Sequence, residues 1–150
     1  MPITQPPCAE SESRSGCARP DPRHALGRLG EEIAAAHFTR LGFSVLARNA
    51  RTRHGEIDLI AFDGQALVFV EVKTRRASVR AVGHRSSDAQ GPLERLRPRQ
   101  RARLRGLAVA WLSEHRASRP VAHEIRFDAV GVTIDGQNRL LRLEHLEAAW

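Results

Sequence analysis

At 150 residues, 41% apolar and 27% charged, the chain is long enough for one soluble globular domain with a modest core. No apolar run approaches the roughly 18 residues of a membrane span, and the N-terminal stretch lacks the apolar centre of a secretory signal, so a membrane role is not expected and a cytoplasmic location is. A formal charge of +7 makes nucleic acid the first partner to consider, ahead of acidic membranes or acidic proteins.

Residues 1–22 mix proline, serine, glycine and both charges without periodicity. Such a segment buries too little surface to offset the entropy of ordering it, so a disordered leader is expected, followed by a folded domain over residues 23–150. Cys8 and Cys17 fall in the leader at a spacing that matches no zinc pattern and read as free thiols. From His24 to Leu41 the residues Leu26, Leu29, Ile33, His37 and Leu41 recur at helical spacing, and Gly42 supplies a stop. That spacing predicts the first helix.

Phe43 to Asn49 alternates weakly and leads into a basic loop, which fits a first strand. Two stronger strands follow, "EIDLIAF" from Glu56 and "ALVFVEVKT" from Ala66, separated by Asp63-Gly64, a dipeptide suited to a type I′ hairpin turn. Residues 75–92 have no periodicity and are numerous enough to be a functional or mobile loop. Leu104, Leu107, Ala108, Trp111 and Leu112 then form the stripe of a second helix, with Pro98 in its first turn. "EIRFDAVGVTID" from Glu124 reads as another strand, and "RLLRLEHLEAAW" from Arg139 as a short strand or a helical tail. The order αβββαβ, with a helix-bearing crossover after the third strand, predicts an α/β fold with a mixed sheet flanked by helices.

If Asp63-Gly64 is the two-residue turn, Ile60 faces Leu67, Asp58 faces Phe69 and Glu56 faces Glu71, all on one face together with Lys73. Ile57, Leu59, Ala61, Val68, Val70 and Val72 then form a wholly apolar second face that should pack on the helices. Asp58 and Glu71 become diagonal neighbours, roughly 5 to 8 Å apart. Like charges so close destabilise a sheet unless something positive sits between them, and a hard divalent cation would fit. Charges at a solvated strand end, with Lys73 neutralising one of them, are the plain alternative. Lys73 is the single lysine among 24 basic residues.

Asp58 followed by Glu71-Val72-Lys73 resembles the acidic and (D/E)xK elements of the restriction-endonuclease-like, or PD-(D/E)xK, nucleases. More closely, "GRLGEEIAAAHFTRLGFSVLARNAR", "GEIDLIAFDG", "LVFVEVKTR", "LAVAWL" and "RFDAV" resemble the YraN-type family of uncharacterised bacterial proteins, predicted endonucleases similar to archaeal Holliday-junction resolvases. The resemblance covers about residues 24–150. It implies a restriction-endonuclease-like αβββαβ core and an additional acid from the first helix. Glu31 in "GE" matches that acid, and the helical wheel supports the choice, since Glu31 lies at the edge of the apolar stripe while Glu32 points further towards solvent. The chain departs from the pattern in having Ile57 before Asp58, and Gln100 where relatives often carry a lysine.

The resemblance further implies a metal-dependent DNA endonuclease in which Asp58, Glu71, the Val72 carbonyl and Glu31 hold Mg²⁺ or Mn²⁺ against the scissile phosphate. Lys73 would orient or deprotonate the attacking water, a role suited to a compact ammonium and not to a guanidinium that stays charged. Glu56 would be an auxiliary acid or a partner for Arg53. Between Arg75 and Arg105 stand ten arginines against Asp88 and Glu94. Arg75, Arg76, Arg80, Arg97, Arg99, Gln100, Arg101 and Arg103 are the expected contacts to a nucleic-acid backbone, read by shape. With no tyrosine and no run of aromatics for base stacking, double-stranded or branched DNA is the expected partner. Resolvase-like relatives suggest a homodimer. A non-catalytic nucleic-acid-binding protein on the same fold is the alternative function.

Overall fold

The computed structural model describes residues 21–77, 92–93 and 97–150. The expected leader, apart from Asp21 and Pro22, and the loop that carries Arg80 lie outside the described residues. Helix α1 spans Pro22–Arg40 and strand β1 Ser44–Thr52; β2 spans Gly55–Phe62 and β3 Ala66–Arg76. Helix α2 (Pro98–Glu114) precedes β4 (Glu124–Ile134) and β5 (Leu140–Leu146). The C-terminal tail is thus a strand, and the five strands lie in the order β1-β2-β3-β4-β5. β3 and β4 pair in parallel from Ala66↔Glu124 to Arg76↔Ile134, and the other neighbours pair antiparallel.

Both faces of the sheet are covered. Leu59, Ala61, Val68, Val70 and Val72 pack with Val130, Val132 and Ile134 beneath Ala34, Ala35 and Phe38 of α1. Ile60, Leu67 and Phe69 pack beneath Leu104, Leu107, Ala108 and Trp111 of α2. Phe69 is fully buried, edge-on to Trp111 at 5.7 Å and stacked with Phe127 at 5.9 Å. Truncating such a ring to alanine costs about 3–5 kcal/mol.

Four local expectations change. The turn residues are Gly64-Gln65, because Asp63 Oδ1 accepts the amides of Gln65 and Ala66 (2.8 and 2.7 Å) and so closes the turn itself. Gly64 has φ of +100°, and the ladder runs Phe62↔Leu67, Ile60↔Phe69, Leu59↔Val70. The register moves by two residues, which leaves the paired residues Leu59–Phe62 and Leu67–Val70 on the faces assigned to them. Second, Ile57 leaves the apolar face of Leu59 and packs under α2. Third, β1 runs past Asn49 to Thr52, because an edge strand needs no apolar alternation along its solvated side. Fourth, Leu41 is 51% exposed, because α1 has already ended at Arg40, and Phe38 takes the buried place.

Candidate acidic cleft

β2 and β3 separate at the end remote from their turn. Beyond Leu59↔Val70 the Val72 amide donates to Asp58 Oδ2 at 2.7 Å, so a side chain takes the place of a ladder carbonyl. Into this fork comes α1. Gly30 lies against β3 so tightly that a β-carbon there would stand 1.7 Å from Thr74 Oγ1. This approach sets the next residue, Glu31, at the same opening.

The resulting cleft, of about 820 Å³, is lined by the acids Glu31, Glu56, Asp58 and Glu71, together with Val72 and Lys73. Glu31 Oε2 is buried and among the described residues has no hydrogen-bond partner. Lys73 Nζ pairs with Glu71 Oε1. Burial is the main cause that pushes the Asp58 carboxyl up to about 7; Glu71 and Glu31 push the same way, against the Val72 amide and Lys73. Asp58 is therefore surrounded by more negative charge than Lys73 offsets. Glu32, by contrast, points outward and meets Arg48 at 3.7 Å.

Among the described residues no three or more His, Cys, Asp or Glu side chains are gathered closely enough to form a metal cage by themselves. An ion of the Mg²⁺ type does not need one, because it takes one or two carboxylates and completes its shell with waters and phosphate oxygens. A buried carboxylate oxygen with no hydrogen-bond partner among the described residues, beside a carboxyl whose ionisation burial and neighbouring acids oppose, is a donor set that fits such an ion.

The basic residues divide. Arg103 lines the cleft from α2, as do Arg51 of β1 and Arg23 and Arg28 of α1. Arg97 and Arg99 are exposed at the start of α2. Gln100 Oε1 caps that helix by accepting the Arg97 amide at 3.0 Å. Arg101 lies over the Trp150 ring at 5.7 Å. Arg75 Nε reaches Thr133 Oγ1 at 3.2 Å. Arg76 does not reach the cleft; its guanidinium donates to the carbonyls of Asp135 and Gly136 and to Asn138 Oδ1, holding the β4–β5 turn. The cationic lining from α1 and β1 has no signature in the sequence, since it depends on how those elements meet the fork.

A second polar cluster lies under the C-terminal half of α1. Asp128 is fully buried and accepts Arg126 Nε and Nη2 (2.9 and 2.8 Å), the Ala148 amide (3.0 Å) and His145 Nε2 (2.9 Å). His145 Nδ1 meets His37 Nε2 of α1 at 3.1 Å. Arg126 and Asp128 thus form an ion pair within β4, and His37 sits half-buried at the edge of the core.

Similarity to other proteins covers most of the chain. A family model described as "Uncharacterised protein family UPF0102" matches residues 30–132. A UPF0102 protein of Acidothermus cellulolyticus is 50% identical over 117 residues, 73% of this chain and 82% of the relative. One from Anaeromyxobacter dehalogenans is 43% identical over 132 residues, 87% of each chain. Another, from Frankia casuarinae, is 40% identical over 128 residues, 85% of this chain and 98% of the relative.

Proposed function

The chain belongs to the uncharacterised protein family UPF0102, and from that premise we propose that it is a metal-dependent DNA endonuclease of the restriction-endonuclease-like type. The observation that carries the reading is one cleft in which Glu31, Asp58 and Glu71, from three separate elements, converge beside Lys73 and a lining of arginines. Glu31 Oε2, buried and with no hydrogen-bond partner among the described residues, supports a role in holding a cation.

In this reading Asp58 and Glu71 with the Val72 carbonyl would hold Mg²⁺ or Mn²⁺, and Glu31 would complete the set directly or through a water on the ion. When bound, such an ion supplies a positive centre beside the charge that builds on the phosphate oxygens. Lys73, drawn away from Glu71, directs a water at phosphorus. Water oxygen bonds to phosphorus, one P–O ester bond breaks, and the departing oxygen ends as a hydroxyl. Arg103 and Arg51 hold the phosphate backbone along the cleft. The arginine-rich lining and the lack of an aromatic platform favour double-stranded or branched DNA, read by its backbone.

The test is incubation of the purified protein with linear, nicked, branched and single-stranded DNA in Mg²⁺ or Mn²⁺. At least one should be cut, and Asp58→Asn and Glu71→Gln should each abolish cutting while DNA binding persists. Binding without cutting of any of them would leave a non-catalytic nucleic-acid-binding protein on the same fold.

A further inference from the structure

Asn49 interrupts β1 in a way that strand geometry does not require. Its φ is +49°, in the left-handed region, while the residues on either side keep their ladder partners, Arg48↔Leu59 and Ala50↔Ile57. The position stepped over on β2 is Asp58. Leu59 packs under α1 and Ile57 under α2, so the pair of strands changes faces at this point, and the change delivers Asp58 to the cleft.

Asparagine tolerates that conformation better than most residues, but glycine adopts it at no steric cost. The backbone alone therefore does not call for a carboxamide. Asn49 is half-buried and lines the cleft beside Asp58, and among the described residues its side chain has no hydrogen-bond partner. A half-buried carboxamide in the wall of the cleft, fixed there by its backbone conformation and engaged by no other side chain, can exchange its water for an oxygen of whatever enters the cleft. A neutral donor suits this place. It reaches an anionic oxygen without bringing a full positive charge that would neutralise the neighbouring carboxylates.

We infer that Asn49 is a substrate-contact residue of the proposed reaction, its side-chain N–H donating to a non-bridging oxygen of the phosphodiester seated against Asp58 and Glu71. The inference rests on the nuclease reading of the same cleft.

Asn49→Gly retains the backbone conformation and removes the carboxamide, whereas Asn49→Asp retains the shape and presents a carboxylate to phosphate. Both are compared with wild type on the DNA that wild type cuts, on the same DNA bound in Ca²⁺, and in thermal unfolding. Both variants should unfold within a few degrees of wild type and cut about 100-fold more slowly, as for loss of one preorganised donor, with Asn49→Asp also binding more weakly. In ¹⁵N spectra the Asn49 side-chain amide of wild type should shift when uncut DNA is added. Wild-type cutting by Asn49→Gly, or an amide signal that stays still while other cleft signals shift, overturns the inference. If wild type binds DNA and the Asn49 signal shifts but no DNA is cut in any metal, the contact stands and the nuclease reading falls. If no DNA binds, both fall.

Discussion

Gly30 and Thr74 are the point at which α1 is set against β3: a β-carbon on residue 30 would lie 1.7 Å from Thr74 Oγ1 and 2.8 Å from its Cβ. No rotamer of the threonine relieves both, so Gly30→Ala must push the helix off the sheet. The expected cost is about 1–3 kcal/mol, with Glu31 displaced and any cutting activity reduced. Gly30→Ala/Thr74→Gly should recover part of that loss relative to the sum of the single changes. Urea denaturation of the four proteins measures the coupling, and simple additivity would contradict the contact.

Asp58 gives the metal-free protein a pH dependence of defined sign. Its carboxyl is raised to about 7 by burial, then by Glu71 and Glu31, whereas an unfolded aspartate titrates near about 4. Between those values the folded state holds a proton that the unfolded state lacks, so stability falls as pH rises through the window. Asp58→Asn removes the dependence. It should stabilise the metal-free protein at pH 8 by about 1–3 kcal/mol and change little at pH 4. Denaturation at the two pH values checks this, and an equal gain at both would show that the carboxyl is not so perturbed.

Lys73 is where the choice of basic residue matters. Lys73 Nζ meets Glu71 Oε1 inside the fork, and a planar guanidinium on a longer stem cannot occupy the same volume. Lys73→Arg should cut DNA at least about 100-fold more slowly while binding it within about twofold of wild type. Wild-type rates in that variant would remove Lys73 from the chemistry.

The Asp128 cluster predicts acid sensitivity of another kind. Burial opposes ionisation of Asp128, but His145, Arg126 and the Ala148 amide outweigh it and hold the carboxyl below its ordinary range. Burial, His145 and Arg40 lower His37. Both groups contribute stability that is lost as pH falls, first below about 6.5 through His37 and then below about 4 through Asp128. Asp128→Ala strands the Arg126 guanidinium and should cost about 3–5 kcal/mol. His37→Gln should flatten the dependence between pH 7 and 5. An unchanged pH profile in that variant would show that the imidazole does not titrate against folding.

Arg103 and Arg76, both expected from sequence to meet phosphate, should separate by salt dependence. Arg103 lines the cleft, so Arg103→Ala should weaken DNA binding and lower the slope of log affinity against log salt by about 1. Arg76 holds the β4–β5 turn, so Arg76→Ala should leave the slope intact and cost about 1 kcal/mol of stability. Equal effects on binding would mean that Arg76 leaves the turn to meet DNA.

What could be read from sequence was what period and local chemistry determine. The alternation in "EIDLIAF" and "ALVFVEVKT" established the hairpin and its faces, and a register error of two residues left Asp58, Glu71 and Lys73 together because two is the period of a strand. The choice of Glu31 over Glu32 followed from the helical wheel in the same way. Long-range contacts were not legible. That Ile57 and Leu59 face opposite layers depends on the twist at Asn49, that Arg76 is engaged depends on a turn about 60 residues later, and His145 meets His37 across 108 residues. No periodicity records such meetings.

β3 is the middle strand of the sheet, bound by β2 on one side and by β4 over eleven paired positions on the other. Glu71 and Lys73, past the point where β2 leaves β3, still ride on a segment held by the β4 ladder, whereas Glu31 rides on a helix joined to the sheet by side-chain contacts alone. Mild denaturant should detach the helix before it disturbs the strand. Loss of Glu31 from the cleft, detected as early amide exchange along α1, should then precede loss of the fold.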